Sequence, residues 1–193
     1  ETANDRSGFS VSLSDDGRTV AIGAYYNDKP NYGGDNAGHV RVYEYKSGSW
    51  TQLGDDIDGD APNDRSGYSV SLNGNGTIVA IGAYNNDGGG SNSGHVRVYE
   101  WKNDEWDQLG ADIDGEDADD LSGRSVSLSG DGQTVAIGAH KNDGVNGTDS
   151  GHVRVYNLVG TTWQKLGDDI DGETAGDQSG YSVSLSYNGT IVA

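Results

Sequence analysis

Residues 7–24 read SGFSVSLSDDGRTVAIGA, and the stretch returns three times: SGYSVSLNGNGTIVAIGA at 66–83, SGRSVSLSGDGQTVAIGA at 122–139 and SGYSVSLSYNGTIVA at 179–193. A repeat of this kind sets the architecture before any local structure is assigned. Its anchoring glycines, Gly8, Gly67, Gly123 and Gly180, are 59, 56 and 57 residues apart. All of that variation falls in residues 25–37, 84–93 and 140–150, which therefore read as surface loops on a constant framework. The units run 1–59, 60–115, 116–172 and a partial 173–193, one continuous array.

Each unit reads as four short strands. In the first, Phe9, Val11 and Leu13 alternate with Ser10, Ser12 and Ser14, the period of two of a strand packed on one side. Asp16-Gly17, Asn75-Gly76, Asp131-Gly132 and Asn188-Gly189 follow, and such pairs predict two-residue hairpins with both residues at positive φ. The second strand, TVAIGA, is apolar or small on both faces and so the most buried. A third, GHVRVYEY at 38–45, sets Val40 and Val42 opposite His39, Arg41 and Tyr43. A tight polar turn (Ser47-Gly48, Asn103-Asp104, Gly160-Thr161) leads to the fourth, with Trp50, Trp106 or Trp163 and then Leu53, Leu109 or Leu166. The acidic DIDG segment closes the unit.

The chain has 193 residues, 31 acidic against 12 basic, a net charge of −19, 32 glycines and neither cysteine nor methionine. Only 34 of the 193 are Val, Ile, Leu or Phe, which with that charge is the composition of a disordered chain. The repeat argues for an ordered one. Residues 1–59 hold nine such side chains, too few to offset the entropy of ordering one unit, so each sheet must bury both faces against its neighbours. Four antiparallel strands per unit is the anatomy of a β-propeller blade. The charge argues against nucleic-acid and anionic-membrane partners. Disulfides are excluded, no apolar run approaches the ~18 residues of a membrane span, and Glu1 does not open a signal peptide, so the chain reads as a mature or excised segment.

SGFSVSLSDDGRTVAIGA followed by GHVRVYEY resembles the FG-GAP repeat of integrin α-chain-type β-propellers, over essentially the whole chain. The resemblance implies an all-β fold of four-stranded antiparallel blades, three full repeats plus one hairpin. There are two departures. Tyr25, Tyr84 and His140 stand where the family has proline after Gly-Ala. The family's calcium loop between the first two strands is here cut to SDDG, NGNG, SGDG or SYNG, too short for the usual six to eight oxygens. Closed propellers take roughly four to eight blades. Two compatible expectations follow: a window on a longer array, or a subunit that further copies of itself complete as a fibre or ring.

Two readings stand for the acidic segments. Their carboxylates pair with the strand arginines Arg41, Arg97 and Arg154, or Asp56, Asp58 and Asp60, with Asp112, Asp114, Asp169 and Asp171, bind Ca2+ weakly. No cofactor is required on either. His39, His95 and His152 share one repeat position and read as inter-blade packing, while Trp50, Trp106 and Trp163 read as core or edge packing rather than sugar platforms. Asn75, Asn146 and Asn188 open N-x-T sequons, of which Asn146 lies in a variable loop and is the best glycosylation candidate. The loops offer Asn27, Asp28, Asn86, Asp87, Asn142 and Asp143 as candidate binding residues. SGYSVSL lacks the second glycine of a nucleophile elbow, and neither a P-loop nor H-E-x-x-H is present. The sequence thus predicts a non-enzymatic, extracellular or cell-surface structural or adhesive repeat protein. The alternative is a glycan- or protein-binding propeller module, calcium-dependent or not.

Overall fold

The computed structural model describes residues 3–28 and 36–193, so part of the predicted loop 25–37 lies outside the described residues. Three antiparallel sheets follow one another along the chain. The first comprises β1 (Ser10–Leu13), β2 (Thr19–Ala24), β3 (His39–Lys46), β4 (Ser49–Gln52) and β5 (Ile57–Asp58). The second comprises β6 (Ser69–Leu72), β7 (Ile78–Ala83), β8 (His95–Lys102), β9 (Glu105–Gln108) and β10 (Ile113–Asp114). The third comprises β11 (Ser125–Leu128), β12 (Thr134–Ala139), β13 (His152–Val159), β14 (Thr162–Lys165) and β15 (Ile170–Asp171). Residues 179–193 form a further hairpin, bridged at Leu185 and Val192. No helix among the described residues is long and apolar enough to cross a membrane.

The third strand explains the fifth. Eight residues long, β3 pairs with β4 only through its second half, from Tyr43 opposite Gln52 to Lys46 opposite Ser49. Its first half is left with free backbone groups, and the acidic segment supplies them, Ile57 opposite Val40 and Asp58 opposite His39. The DIDG segment is thus a short strand rather than a closing turn.

The predicted hairpin chemistry sits at the other turn. At the Asp-Gly and Asn-Gly pairs only the glycine is left-handed, with φ of 67° at Gly17 and 73° at Gly76. Leu13 pairs with Val20, so six residues lie between them and a two-residue connection is impossible. Instead Gly17 N–H donates to Ser14 O, and the Ser14 hydroxyl accepts from the Thr19 N–H. Asn73, Ser129 and Ser186 take the same role. Both residues are left-handed at Ser47-Gly48 and Asn103-Asp104, between the third and fourth strands, which is where the primed two-residue turn occurs.

Cross-strand register sorts each sheet into a large face and a small one. In the second sheet Val70, Leu72, Val79, Ile81, Arg97 and Tyr99 share one face, and Ser69, Ser71, Ala80, Gly82, Val96 and Val98 share the other. The large face of this sheet packs on the small face of the first, where Leu72, Val79, Ile81 and Tyr99 meet Ala21, Val40, Val42 and Ile57. The next junction repeats it, with Leu128, Val135, Ile137 and Tyr156 on Ala80, Val96, Val98 and Ile113. Val183, Leu185 and Val192 of the final hairpin close on Ala136, Val153 and Val155.

The serines expected to face away from packing are therefore part of the junctions. Ser10, Ser69 and Ser125 hydroxyls donate to the carbonyls of Gly67, Gly123 and Gly180 in the next unit, at 2.7, 2.8 and 2.8 Å. Ser12, Ser71 and Ser127 hydroxyls accept from the N–H of Leu72, Leu128 and Leu185. Such close approach requires glycine on the second strand. A Cβ at Gly82 would stand 2.1 Å from Gly123 O, and one at Gly138 would stand 1.9 Å from Gly180 O.

Gly82→Ala should therefore destabilise the protein by about 1–3 kcal/mol through overpacking. Ser69→Ala, which removes one bond and adds no atom, should cost about 1 kcal/mol. Thermal unfolding of the two variants checks the order; an alanine tolerated at 82 would contradict the packing described.

Candidate functional site

The polar residues that recur in every unit gather at the junctions, on the third strand and the acidic segment. Arg97 on β8 reaches back to the acidic segment that follows the first sheet, pairing with Asp60 and donating to Asp58 O at 2.9 Å. Arg154 on β13 does the same to the second, at 3.2 Å from Glu116 and 2.8 Å from Asp114 O. In the first unit Arg41 forks onto Asp56, at 2.8 and 2.7 Å, and Gln52 donates to the same carboxylate. The Arg41 guanidinium holds Asp56 below the usual carboxylate range.

The histidines sit beside these clasps. His39 Nδ1 lies 3.6 Å from Asp56 and His95 Nδ1 3.5 Å from Asp112. His95 is 1% exposed, and burial, reinforced by Arg97, pushes it down to about 4. Burial also lowers His152. His95 and His152 are neutral packing groups at physiological pH.

Among the described residues two sets of ligand-type side chains come within 4.8 Å of one another: Asp60, His95 and Asp112, and Glu116, His152 and Asp169. Each brings a carboxylate that follows one sheet, Asp60 or Glu116, to the histidine of the next, whereas the sequence grouped Asp56, Asp58 and Asp60 as consecutive calcium ligands. The structure distributes those carboxylates instead. Asp56 serves Arg41, Asp60 serves Arg97, Asp112 accepts from Gln108 at 2.6 Å, and Asp169 pairs with Lys165. Asp114 and Asp171 are strand residues of β10 and β15, paired opposite His95 and His152. The cationic partner at each junction is a guanidinium already in place. At the family's calcium position the residues do not fit the ion: the Asp16 and Asp131 carboxylates are spent on their own turns, accepting from Ser14 and Ser129 hydroxyls and from Arg18 and Gln133 N–H.

The variable-loop candidates are built into the loops. Asn27, Asn86 and Asn142 donate to Asp5, Asp64 and Asp120, at 3.1, 2.9 and 3.0 Å. Asp28, Asp87 and Asp143 accept backbone N–H groups of Asn36, Asn92 and Asp149, closing each loop. Asp5, Asp64 and Asp120 are buried, and burial raises Asp64. Sequence reasoning passed over them, although their constant offset of 22 residues from the asparagines was a signal.

Asn146 is exposed and donates to Gly172 O at 2.7 Å, while Asn75 and Asn188 use their Oδ1 to hold their turns. Trp106 and Trp163 donate to Leu53 O and Leu109 O of the preceding unit and are packing residues. A cleft of about 440 Å³ lies beside Trp106, walled by Asp55, Asp56, Asp58 and Tyr99, and its counterpart beside Trp163 is about 230 Å³.

The family model described as "FG-GAP repeat" matches three times, at residues 1–43, 56–99 and 111–156. The chain belongs to the FG-GAP repeat family. Each match contains a serine-glycine start and the arginine of the following third strand, so the FG-GAP unit contains the clasping group. No curated protein gives a significant match. Among solved structures, a putative 6-phosphogluconolactonase from Bacteroides uniformis aligns with 12% identity and a TM-score of 0.59, covering 95% of this chain and 45% of that one. Saccharomyces cerevisiae Sqt1 aligns with 13% identity and a TM-score of 0.56, covering 91% and 38%. At these identities the likeness is one of fold, and the FG-GAP chain spans less than half the length of either structure.

The histidines make a pH dependence. A His held near 4 in the folded state and near 6.5 unfolded takes up its proton only in the unfolded chain between those values. Stability should therefore fall as pH drops from 6.5 towards 4, before the lowered Asp56 titrates; Asp64 and Asp114, raised by burial, oppose the loss near its acid end. Imidazole NMR titration checks the cause directly. His95 and His140 should remain neutral to about pH 4, and a midpoint near 6.5 would refute the assignment.

Proposed function

We propose that this FG-GAP chain is a non-enzymatic structural or adhesive repeat module, extracellular or at the cell surface, whose business is cohesion between successive blades. The observation that carries the reading is the state of the first sheet. Its large face is the kind that the second and third sheets bury, and it stands open, with Phe9 50%, Val11 63%, Leu13 60% and Trp50 48% exposed. A cleft among Val20, Ile22, Tyr43 and Trp50 marks where a small face would seat. The occupant we infer is another blade of the same type, from further repeats or from another copy, because every inner junction pairs these two surfaces.

A non-enzymatic role is supported by repetition: clasp, histidine and loop lock recur in each unit, whereas an active site is singular. The exposed Asn146 sequon and the acidic surface suit a hydrated, glycosylated exterior. No part of this reading needs a cofactor.

Light scattering over a concentration series, with imaging of the same samples, tests the proposal. End-to-end assemblies are expected from this chain, and Leu13→Asp, which charges the open face without touching an inner junction, should leave single particles. Discrete particles of wild type at every concentration, or assembly that survives Leu13→Asp, would refute it.

A further inference from the structure

A second row of side chains crosses the units at the start of the first strands. The turn before each first strand places residue i beside residue i+3: Phe9 N–H donates to Arg6 O, Tyr68 to Arg65 O, Arg124 to Leu121 O and Tyr181 to Gln178 O. Arg6, Arg65, Leu121 and Gln178 are all left-handed, with φ of 56°, 59°, 56° and 56°. The fourth positions then stack across four units. Phe9 lies 4.8 Å from Tyr68, the Arg124 guanidinium is 4.5 Å from the Tyr68 ring, and it is 4.4 Å from Tyr181. Tyr26 is flanked by Arg6 at 4.4 Å and Arg65 at 5.2 Å.

The arginines of this ladder are unlike those of the clasps. Among the described residues Arg41, Arg97 and Arg154 pair with carboxylates, while Arg6, Arg65 and Arg124 donate to the hydroxyls of Tyr25, Tyr84 and Tyr181. In a chain with 31 carboxylates to 12 basic groups, three guanidinium groups bonded to tyrosine rather than to a carboxylate stand apart from the clasps. Arg65 Nε is buried with no hydrogen-bond partner, as are Arg97 Nε and Arg154 Nε in the clasps, and each guanidinium carries five donors in a planar fork. Phe9 and Tyr181 meanwhile present open rings, 50% and 55% exposed.

We propose that this ladder binds acidic saccharides, a sugar ring lying on the exposed aromatic faces while its carboxylate is taken by the neighbouring arginine. The ring faces match the C–H face of a pyranose, and the fork matches a carboxylate in two parallel bonds. A net charge of −19 repels dense polyanions at long range, so the ligand is an oligosaccharide with separated carboxylates rather than a nucleic acid. Blade-on-blade assembly would cover Phe9 and Tyr181, as Tyr68 is covered between units, so the site belongs to the unassembled chain.

Calorimetric titration with a galacturonate trimer, its fully methyl-esterified and uncharged form, and a hexaglutamate peptide tests this. The free acid should bind at least about tenfold more tightly than the ester and weaken with salt. Arg124→Gln and Arg65→Gln should each lower its affinity about tenfold while thermal unfolding shows the fold retained. Should Arg124→Gln unfold, Arg6→Gln, whose side chain is exposed, takes its place. Ring resonances of Phe9 and Tyr181 should shift on binding. Equal binding of acid and ester, affinity unchanged in the folded variants, or no binding of any probe would overturn the proposal. Preferential capture of hexaglutamate would overturn it in favour of acidic peptides.

Discussion

The contact on which the rest depends is backbone against backbone. Gly23, Gly82 and Gly138, in the most buried strand of each unit, lie where the carbonyls of Gly67, Gly123 and Gly180 of the next unit press in. That approach lets serine hydroxyls staple neighbouring first strands from both sides, as donors to glycine carbonyls and as acceptors of leucine N–H groups. It also brings a sparse set of aliphatic side chains into contact. Valine, alanine and isoleucine suffice at each junction because the gap they must fill is thin. A chain whose composition resembles a disordered one thereby obtains a core, divided into slabs between sheets rather than gathered within one.

Much of the fold was legible. The repeat fixed the number of units, alternation of period two placed the first and third strands, and the apolar TVAIGA run placed the second. The hairpin assignment failed at Asp16-Gly17 because a local dipeptide signal ignores register, which here is set by pairing Leu13 with Val20. The serines misled for a related reason. Alternation shows that two faces differ, and polarity suggested that one was wet, but a hydroxyl with a partner in the next unit is as much an interior group as leucine. The fifth strand was invisible in a two-residue Ile-Asp segment and exists only because β3 is longer than β4.

The site was less legible, since its contacts join residues far apart in sequence. Arg97 and Asp60 are 37 positions apart, and nothing local distinguishes this carboxylate from Asp56 or Asp58. The pairing of arginines with acidic segments was readable as chemistry, whereas the offset, Arg97 and Arg154 reaching back to the segment after the preceding sheet, required the stacking geometry. The Asn86–Asp64 and Asn142–Asp120 locks show the opposite case, a strictly repeated spacing whose meaning appears only when both partners are found buried.

Charge follows the same division of labour. The carboxylates concentrate on the segment after the fourth strand, where Arg97 and Arg154 each tie two units together by an ion pair and a backbone carbonyl. These arginines are almost wholly buried, so their partners' carboxylates face water while the cation is enclosed. Exchange of either clasp for lysine would keep the charge and lose the second, carbonyl-directed bond, because an ammonium is a point donor without the planar fork. At the start of the first strands, two strands away across each sheet, arginine meets tyrosine instead, and the junction is held by ring faces. One residue type thus serves two kinds of seam. The partner supplied by the neighbouring unit, acid or aromatic, decides whether the seam is electrostatically closed or left with donors to spare.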